Sequence, residues 1–292
     1  MTVTLQAHAK INLYLDVVGR RENGYHDIVS VMQAVSLADT LTVTRTRGEG
    51  IALKIGGAVL AADDSNLVVR AAKAYFAAAK TSFGVETVLE KQIPMQAGLG
   101  GGSADAAAML HALNKLDGER FSLRELAAIG ASIGADVPFC VVGGTALCRG
   151  IGEVIEPIEN RLDATLVVAI GRDVVSTPAA FGALDRRYDN YTNYTPTRDV
   201  KSVASALAKG DANELPTGAF NAFEAVIEAL CPSVAEIKRL MKEGGAILAQ
   251  MSGSGPAVFG VFSDPVLAQK AKKALDGAGY RAFVCRMVYD KA

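Results

Sequence analysis

The sequence predicts an α+β protein of two domains, and three observations support this prediction. Apolar residues alternate with polar ones from Val3 to Val17, which is the pattern of strands with one buried face. Helix signals are grouped rather than alternating with strands, as they would in a Rossmann-type sheet. The length of 292 residues favours two domains, and the apolar half of the composition is enough for a substantial core.

The opening third is predicted to be rich in β-strands. Lys10, Asn12 and Asp16 occupy polar positions of the first strand, so we expect their side chains to lie together on the face opposite the apolar one. Further strands are expected at 29–36, 39–46, 51–56 and 84–91.

Capping signals predict the helices of this first domain. Asp64-Ser65-Asn66 indicates the start of a helix that ends near Lys80, and Ser122 with Glu125 forms a capping box before a helix that ends near Gly134. Another helix is expected from Ser103 to Leu116, and a turn or short helix followed by a strand between 137 and 147.

The chain becomes polar around 156–163, and we predict a domain boundary there, between an N-terminal domain of residues 1–160 and a C-terminal domain of residues 161–292. Residues 186–199 show neither helical nor strand periodicity and are expected to form an exposed loop. The predicted elements of the second domain are strands at 164–170, 246–251, 257–262 and 280–288 and helices at 200–209, 219–230, 232–243 and 265–277.

Composition argues against several functional classes. The 30 basic and 31 acidic residues nearly cancel, so we expect no nucleic-acid or anionic-membrane partner. No signal peptide or membrane-spanning stretch is visible, which favours a cytoplasmic location. The four cysteines lie far apart without CxxC spacing, which favours reduced packing residues over a disulfide framework or a metal site.

The stretch from Pro94 to Ala104 is the most informative, because it has four glycines among residues 98–102. Glycines allow successive backbone N–H groups to converge, and the helix that follows adds free N–H groups and the positive end of its dipole. A polyphosphate suits that geometry. The loop has neither the GKS or GKT ending of a P-loop nor the GxGxxG order. A flexible turn or helix cap is the alternative interpretation.

Three other segments contain candidate chemistry. Asp136 stands just past a helix end beside Pro138, where a stiff backbone can aim a carboxylate, although capping the next turn is the commoner role. Lys10 is its candidate partner. Tyr25 and His26 follow a charged turn and either stack on a flat ligand or belong to a surface turn. The loop 251–255 suits close backbone approach or is simply a tight connection.

Together these segments resemble the GHMP kinase superfamily, and most closely its kinases of a cytidine-diphosphate sugar alcohol. The resemblance spans Ala9 to Phe262. It implies the two-domain α+β GHMP kinase fold, with the active site in the cleft between the domains. It also implies ATP-dependent phosphorylation of the sugar alcohol's tertiary C2 hydroxyl in non-mevalonate isoprenoid synthesis, with Mg²⁺ bridging the phosphates. The matching segments are Lys10-Ile11-Asn12-Leu13, Gly24-Tyr25-His26, 98–103, 134–138 and 251–255.

The resemblance implies roles for individual residues. Asp136 would be the general base, Lys10 would stabilise the developing alkoxide, and Asn12 would bond near the same hydroxyl. Tyr25 and Phe181 would enclose the cytosine, His26 would read its polar edge, and Thr177 would also bind the substrate. Asn66 and Leu67 would contact the adenosine. The residues expected to hold the phosphates are Pro94, Met95, Gln96, Ala97, Gly98, Leu99, Gly100, Gly101, Gly102, Ser103 and Ala104.

Two positions depart from the superfamily pattern, since Ala104 replaces a common second serine and Gln96 stands where a small residue is usual. The alternatives are a kinase of another small alcohol such as homoserine or mevalonate, a decarboxylase of the same superfamily, or a silent nucleotide sensor. Retention of both Lys10 and Asp136 argues against a sensor. A monomer or a weak homodimer is expected.

Overall fold

The computed structural model describes residues 1–188, 191 and 198–289, which form two sheets with helices packed against them. The first sheet contains β1 (Thr2–Arg20), β2 (His26–Arg45), β3 (Ile51–Gly56), β4 (Val85–Glu90), β5 (Thr145–Gly150), β6 (Val154–Pro157) and β8 (Phe220–Asn221). The second contains β7 (Thr165–Ile170), β9 (Leu248–Met251), β10 (Val258–Phe262) and β11 (Arg281–Arg286), in the order β11-β7-β10-β9.

Ten α-helices lie in the described part of the chain. Four belong to the first half: α1 (Leu67–Ala79), α2 (Gly101–Leu116), α3 (Leu123–Ala131) and α4 (Val137–Val142). Six follow: α5 (Thr177–Arg187), α6 (Val200–Lys209), α7 (Leu215–Gly218), α8 (Glu224–Leu230), α9 (Pro232–Glu243) and α10 (Pro265–Gly277).

The two strands predicted at 29–36 and 39–46 are one continuous strand, β2. No glycine or proline interrupts the sequence between them, so nothing breaks the extended backbone. One half of β2 pairs with β5 and the other half with β4, both antiparallel. This long strand therefore connects the part of the sheet near residues 94–104, which we call the glycine loop, with the part near α4.

Bulges in β1 change which side chains face the cleft. The pairing of β1 with β2 shifts register between His8 and Lys10, between Asn12 and Tyr14, and between Val17 and Gly19. The second shift reverses the alternation, so that Leu15 lines the cleft. Asp16 is buried and accepts a hydrogen bond from the Tyr14 hydroxyl, at 3.4 Å. The prediction that Asp16 shares a face with Lys10 and Asn12 is wrong for this reason.

The capping signals are confirmed. The Asn66 side chain accepts a hydrogen bond from Val68 N at the start of α1, and the capping box of Ser122 and Glu125 is present at α3. Helix α2 begins two residues earlier than predicted, at Gly101, and α3 ends at Ala131 rather than near Gly134. The helices predicted at 200–209, 232–243 and 265–277 are present as α6, α9 and α10.

Several elements differ from the prediction, among them the short helix α7, which was not predicted. Helix α5 was not predicted, although Ser176 caps it and Pro178 lies in its first turn. Strand β6 was not predicted either. The predicted helix at 219–230 begins only at Glu224, because Phe220–Asn221 pairs in parallel with β1 as β8. Most of the loop predicted at 186–199 falls outside the described residues.

Both faces of the first sheet are covered. Helices α1 to α4 pack on one face over a core that includes Val43, Tyr75 and Leu113. On the other face, Ile11 and Leu13 of β1 share a core with Phe259 of β10. The second sheet therefore packs directly behind the strand that carries Lys10. The domain boundary between residues 160 and 161 stays a prediction.

Cys148, Cys231 and Cys285 are buried and Cys140 is half-buried, all as free thiols. Burial raises the pKa of Cys148 and of Cys285 to about 12. No helix in the described residues is both long and apolar enough to cross a membrane.

Candidate active site

A cleft of about 1370 Å³ opens between β1, the glycine loop, and the starts of α4 and α5. Ala104 is the one predicted site residue that does not line it: its side chain is buried in the core, and its N–H donates to Gly100 O at 2.9 Å. The predicted residues that do line the cleft are Lys10, Asn12, Tyr25, His26, Asn66, Leu67, Pro94, Met95, Gln96, Ala97, Gly98, Leu99, Gly100, Gly101, Gly102, Ser103, Asp136, Thr177 and Phe181.

The ammonium group of Lys10 lies next to the carboxylate of Asp136, with 3.4 Å between Nζ and Oδ2. Lys10 Nζ also donates to Asn12 Oδ1 at 2.8 Å, and Asn12 Nδ2 donates to Ser30 Oγ at 2.8 Å. The Lys10 and Asn12 side chains are almost fully buried. Asn12 therefore holds Lys10 through Oδ1, and Ser30 holds the Asn12 amide through Nδ2; the sequence did not indicate this role.

Asp136 occupies the N-cap position of α4, but its side chain makes no capping hydrogen bond. The commoner interpretation of this residue, a helix cap, is therefore wrong. Its side chain is 31 % exposed and lines the cleft, so a substrate can reach the carboxylate. A carboxylate beside a buried ammonium group is suited to accept a proton from a hydroxyl while the cation stabilises the resulting charge.

Three successive carbonyl groups of the glycine loop are held by other parts of the chain. Ala97 O accepts from Ala257 N at 3.1 Å, Gly98 O from Ser252 Oγ at 3.0 Å, and Leu99 O from Lys10 N at 2.9 Å. A trans peptide places the following N–H opposite each carbonyl, so the N–H groups of residues 98–100 point away from these partners.

Among the hydrogen bonds of the described residues, no main-chain N–H of residues 98–103 has an acceptor in the protein. Those of 101–103 belong to the first turn of α2, where an α-helix has no internal acceptor. Six unpaired donors at one helix start form a binding site for an anion. The prediction of a flexible turn does not account for three fixed carbonyls.

Glycine is required at two positions of this loop. Gly100 has φ of +68°, and a Cβ there would lie 2.9 Å from Lys10 Cγ. Gly98 has φ of +76°, and a Cβ there would overlap Ser252 O. Gln96 adopts φ of +53°, which glycine would adopt with less strain. The loop therefore packs tightly on both the lysine and the 251–255 segment.

Tyr25 lies at the tip of the hairpin between β1 and β2, and its ring is 58 % exposed. Arg21 N donates to Tyr25 O at 2.7 Å, and Arg21 forms an ion pair with Asp27 across the hairpin. The hairpin thus presents an exposed aromatic ring at the cleft, where it is available to stack on a planar ligand.

His26 and Phe181 are in direct contact, with parallel rings whose centroids are 4.5 Å apart. His26 also lies 2.6 Å from Asp185, measured from Nε2 to Oδ1. Thr177 lies at the start of α5, the helix that carries Phe181 and Asp185, and its hydroxyl oxygen is 3.0 Å from that of Ser254, with which it forms a hydrogen bond. The sequence resemblance identified His26, Thr177 and Phe181, but it gave no signal for Asp185.

Asn66 and Leu67 lie at the opposite end of the cleft. Asn66 is engaged by α1 and by Ala61 O, to which its Nδ2 donates at 2.8 Å. Val59 and Leu60 also line this end, and both are exposed, Val59 to 97 %. The sequence analysis did not select them, although two apolar residues in a predicted turn could have indicated a binding surface.

Beneath the glycine loop lies a buried charge cluster. Lys91 Nζ bonds both Asp39 and Asp105, with 2.6 Å to Asp105 Oδ2. Asp105 Oδ1 is buried and has no hydrogen-bond partner. Burial raises the pKa of Asp105 to about 7; the positive charge of Lys91 opposes this increase and the negative charge of Asp39 adds to it. Lys91 and Asp105 also line the cleft, although the sequence analysis did not select them.

No group of three His, Cys, Asp or Glu side chains within the described residues is placed to hold a metal ion. A divalent ion in this cleft would therefore take most of its ligands from a bound polyphosphate and water, which is usual for Mg²⁺. The Ser103 hydroxyl lines the cleft and fits as an additional oxygen ligand.

The chain matches two family models, GHMP kinases N terminal domain at residues 66–144 and GHMP kinases C terminal at residues 203–281. It is 42 % identical over 265 residues to 4-diphosphocytidyl-2-C-methyl-D-erythritol kinase of Pelotomaculum thermopropionicum, covering 90 % of each chain. It is 37 % identical over 291 residues to the kinase of that name from Bacillus cytotoxicus, covering 100 % of this chain and 99 % of the relative.

A solved structure shows the same similarity over the whole chain. The crystal structure of a 4-(cytidine 5'-diphospho)-2C-methyl-D-erythritol kinase superposes with a TM-score of 0.83 at 34 % identity. The match covers 99 % of this chain and 100 % of that one, so it includes every element that lines the cleft.

Proposed function

Because the chain belongs to the 4-diphosphocytidyl-2-C-methyl-D-erythritol kinases of the GHMP kinase superfamily, we propose that its cleft performs this family's reaction. It is an ATP-dependent kinase that phosphorylates the 2-hydroxyl of 4-diphosphocytidyl-2-C-methyl-D-erythritol, a step of non-mevalonate isoprenoid synthesis. The placement of Lys10 and Asp136 beside the unpaired N–H groups of the glycine loop is the observation that supports this most directly.

Asp136 accepts the proton of the substrate hydroxyl. A tertiary alcohol is a weak nucleophile, so removing its proton as the new bond forms lowers the barrier. Lys10, held by Asn12 and beside Asp136, stabilises the negative charge that develops on that oxygen. Because the Lys10 side chain is buried, it has little freedom to lose when substrate binds.

The N–H groups of residues 98–103 hold the triphosphate of ATP. Phosphoryl transfer depends mostly on position and charge stabilisation, and a loop fixed by three carbonyl contacts provides both. The adenosine lies toward Asn66, Leu67 and the apolar side chains of Val59 and Leu60.

Mg²⁺ bound with the nucleotide would neutralise charge on its phosphates, and the Ser103 hydroxyl would serve as a protein ligand. The cytosine of the substrate lies between Tyr25 and Phe181, with His26 at its polar edge. A cytoplasmic location, the absence of a nucleic-acid partner and a monomeric or weakly dimeric state remain predictions from the sequence.

An ATP-consumption assay on a small panel tests the proposal. The panel contains 4-diphosphocytidyl-2-C-methyl-D-erythritol, bare methylerythritol phosphate, homoserine and mevalonate, with carbon dioxide release followed in parallel. We expect phosphorylation of the cytidyl compound alone and no carbon dioxide. Preferred turnover of homoserine or mevalonate would identify a different small-alcohol kinase, and carbon dioxide release would identify a decarboxylase.

A further inference from the structure

We propose that Asp185 is a specificity-determining residue: by accepting a hydrogen bond from the N–H at His26 Nε2, it leaves Nδ1 as a hydrogen-bond acceptor, so that the site selects cytosine over uracil. This inference rests on the proposed function and adds a residue that acts through His26 rather than by touching the substrate. The observation behind it is the 2.6 Å distance between His26 Nε2 and Asp185 Oδ1.

The geometry fixes which ring nitrogen carries the proton. An ionised carboxylate can only accept a hydrogen bond, so Nε2 is the nitrogen that bears hydrogen. The neutral imidazole has a single N–H, which leaves Nδ1 with a lone pair. Among the described contacts Nδ1 has no hydrogen-bond partner in the protein, and His26 lines the cleft.

The carboxylate and the ring are both held in place. Arg20 Nε lies 3.7 Å from Asp185 Oδ2, so the second oxygen faces a cation while the first faces His26. Phe181 stacks on one face of the His26 ring, and the Tyr191 ring meets it edge-on at 5.7 Å. A 180° turn of the ring about Cβ–Cγ would move Nε2 away from Asp185, so the hydrogen bond to Asp185 fixes the orientation of the packed ring.

A fixed acceptor distinguishes the two pyrimidines. Cytosine offers an amino group as a donor at the position where uracil, like thymine, offers a carbonyl acceptor. Nδ1 pairs with the cytosine amino group, whereas uracil would bring two acceptors together and leave both unpaired. An unpaired buried polar group weakens binding by roughly one to two orders of magnitude.

The chain offers a direct measurement, because it contains only three histidines, His8, His26 and His111. Nitrogen-15 NMR of the ¹⁵N-histidine-labelled protein at pH 8 reports which ring nitrogen is protonated, with His26→Gln used to assign the signal. We expect the Nε2–H form of His26 in the wild-type protein. A neutral Nδ1–H form or a doubly protonated ring at pH 8 would overturn the proposal, whether or not the protein phosphorylates the cytidyl substrate.

The second measurement compares kcat/KM for the cytidine-diphosphate sugar alcohol and its uridine-diphosphate analogue. Asp185→Asn can present either N–H or C=O to Nε2, so His26 can carry its proton on either nitrogen. We expect the cytidine-to-uridine ratio to fall by about tenfold or more, with the KM for ATP unchanged. Arg186→Gln, an exposed change on the same helix, should keep the wild-type ratio. An unchanged ratio in folded Asp185→Asn would show that Asp185 does not set specificity.

Discussion

Asp136 Oδ2 lies 3.4 Å from Lys10 Nζ, although the two residues come from a helix start and a strand separated by more than a hundred positions in the chain. The carboxylate stands at an N-cap position without capping the helix, so the side chain is available for chemistry.

Asp136→Asn should lower kcat by at least about a hundredfold, because the amide cannot accept the proton of the substrate hydroxyl. Stability and ATP binding should change little, since Asp136 makes no capping hydrogen bond. Steady-state kinetics and nucleotide titration measure both effects. Asp163→Asn, an exposed change outside the cleft, is the control. Undiminished turnover in Asp136→Asn would remove the assigned base.

Tyr25→Ala should raise the KM for the cytidyl substrate by about tenfold or more, because stacking of a base on an aromatic ring is lost. Tyr25→Phe keeps the ring and should keep the KM. Neither variant should change the KM for ATP, because the proposed adenosine site lies at the other end of the cleft. Equal changes in both KM values, or equal turnover of bare methylerythritol phosphate by the wild type, would contradict a cytidine pocket at Tyr25.

Gly100→Ala and Gly118→Ala separate backbone strain from steric overlap. Both glycines have positive φ, +68° and +78°, but only at Gly100 would a Cβ meet another residue, Lys10. Both variants should lose about 1–2 kcal/mol of stability. Only Gly100→Ala should also weaken ATP binding and turnover, because it displaces the lysine. The measurements are thermal unfolding and kinetics of both proteins, and equal activity in the two variants would exclude this contact as the cause.

Asp105 should make stability depend on pH. Burial raises the pKa of Asp105 from the ordinary 3.8 to about 7, so the folded protein retains this proton over a range where the unfolded chain has lost it. Its contribution to stability therefore falls as pH rises through that range and then levels off. The Tm of Asp105→Asn relative to wild type should increase from pH 5 to pH 8, as measured by thermal unfolding. A Tm difference that does not vary with pH would contradict this, and Asp163→Asn is the control.

The sequence was sufficient for local signals and for the resemblance. The caps at Asn66 and Ser122, the glycine loop and the residues Lys10 and Asp136 all depend on short motifs, and the structure places them as expected. What the sequence did not reveal depends on contacts across the fold. A bulge reversed the face of Asp16, and β8 forms only because Phe220–Asn221 meets β1.

The same reason explains the site residues that were missed. Asp185 matters through its distance to His26, a residue 159 positions earlier in the chain. Lys91 and Asp105 are ordinary charged residues in the sequence and become significant only when buried with Asp39. Ala104 was selected as the end of a contiguous motif, but helical geometry turns its side chain into the core.

The carbonyl contacts of the glycine loop limit which fragments of this enzyme could bind a nucleotide. Two of the three anchors, Ser252 and Ala257, belong to the last fifth of the chain, although the loop itself belongs to its first half. A fragment that ends at residue 160 would contain every residue of the loop but would lack two of the three hydrogen-bond donors that fix its carbonyl groups. Nucleotide capture should therefore require the finished polypeptide, which makes ATP a reporter of complete folding.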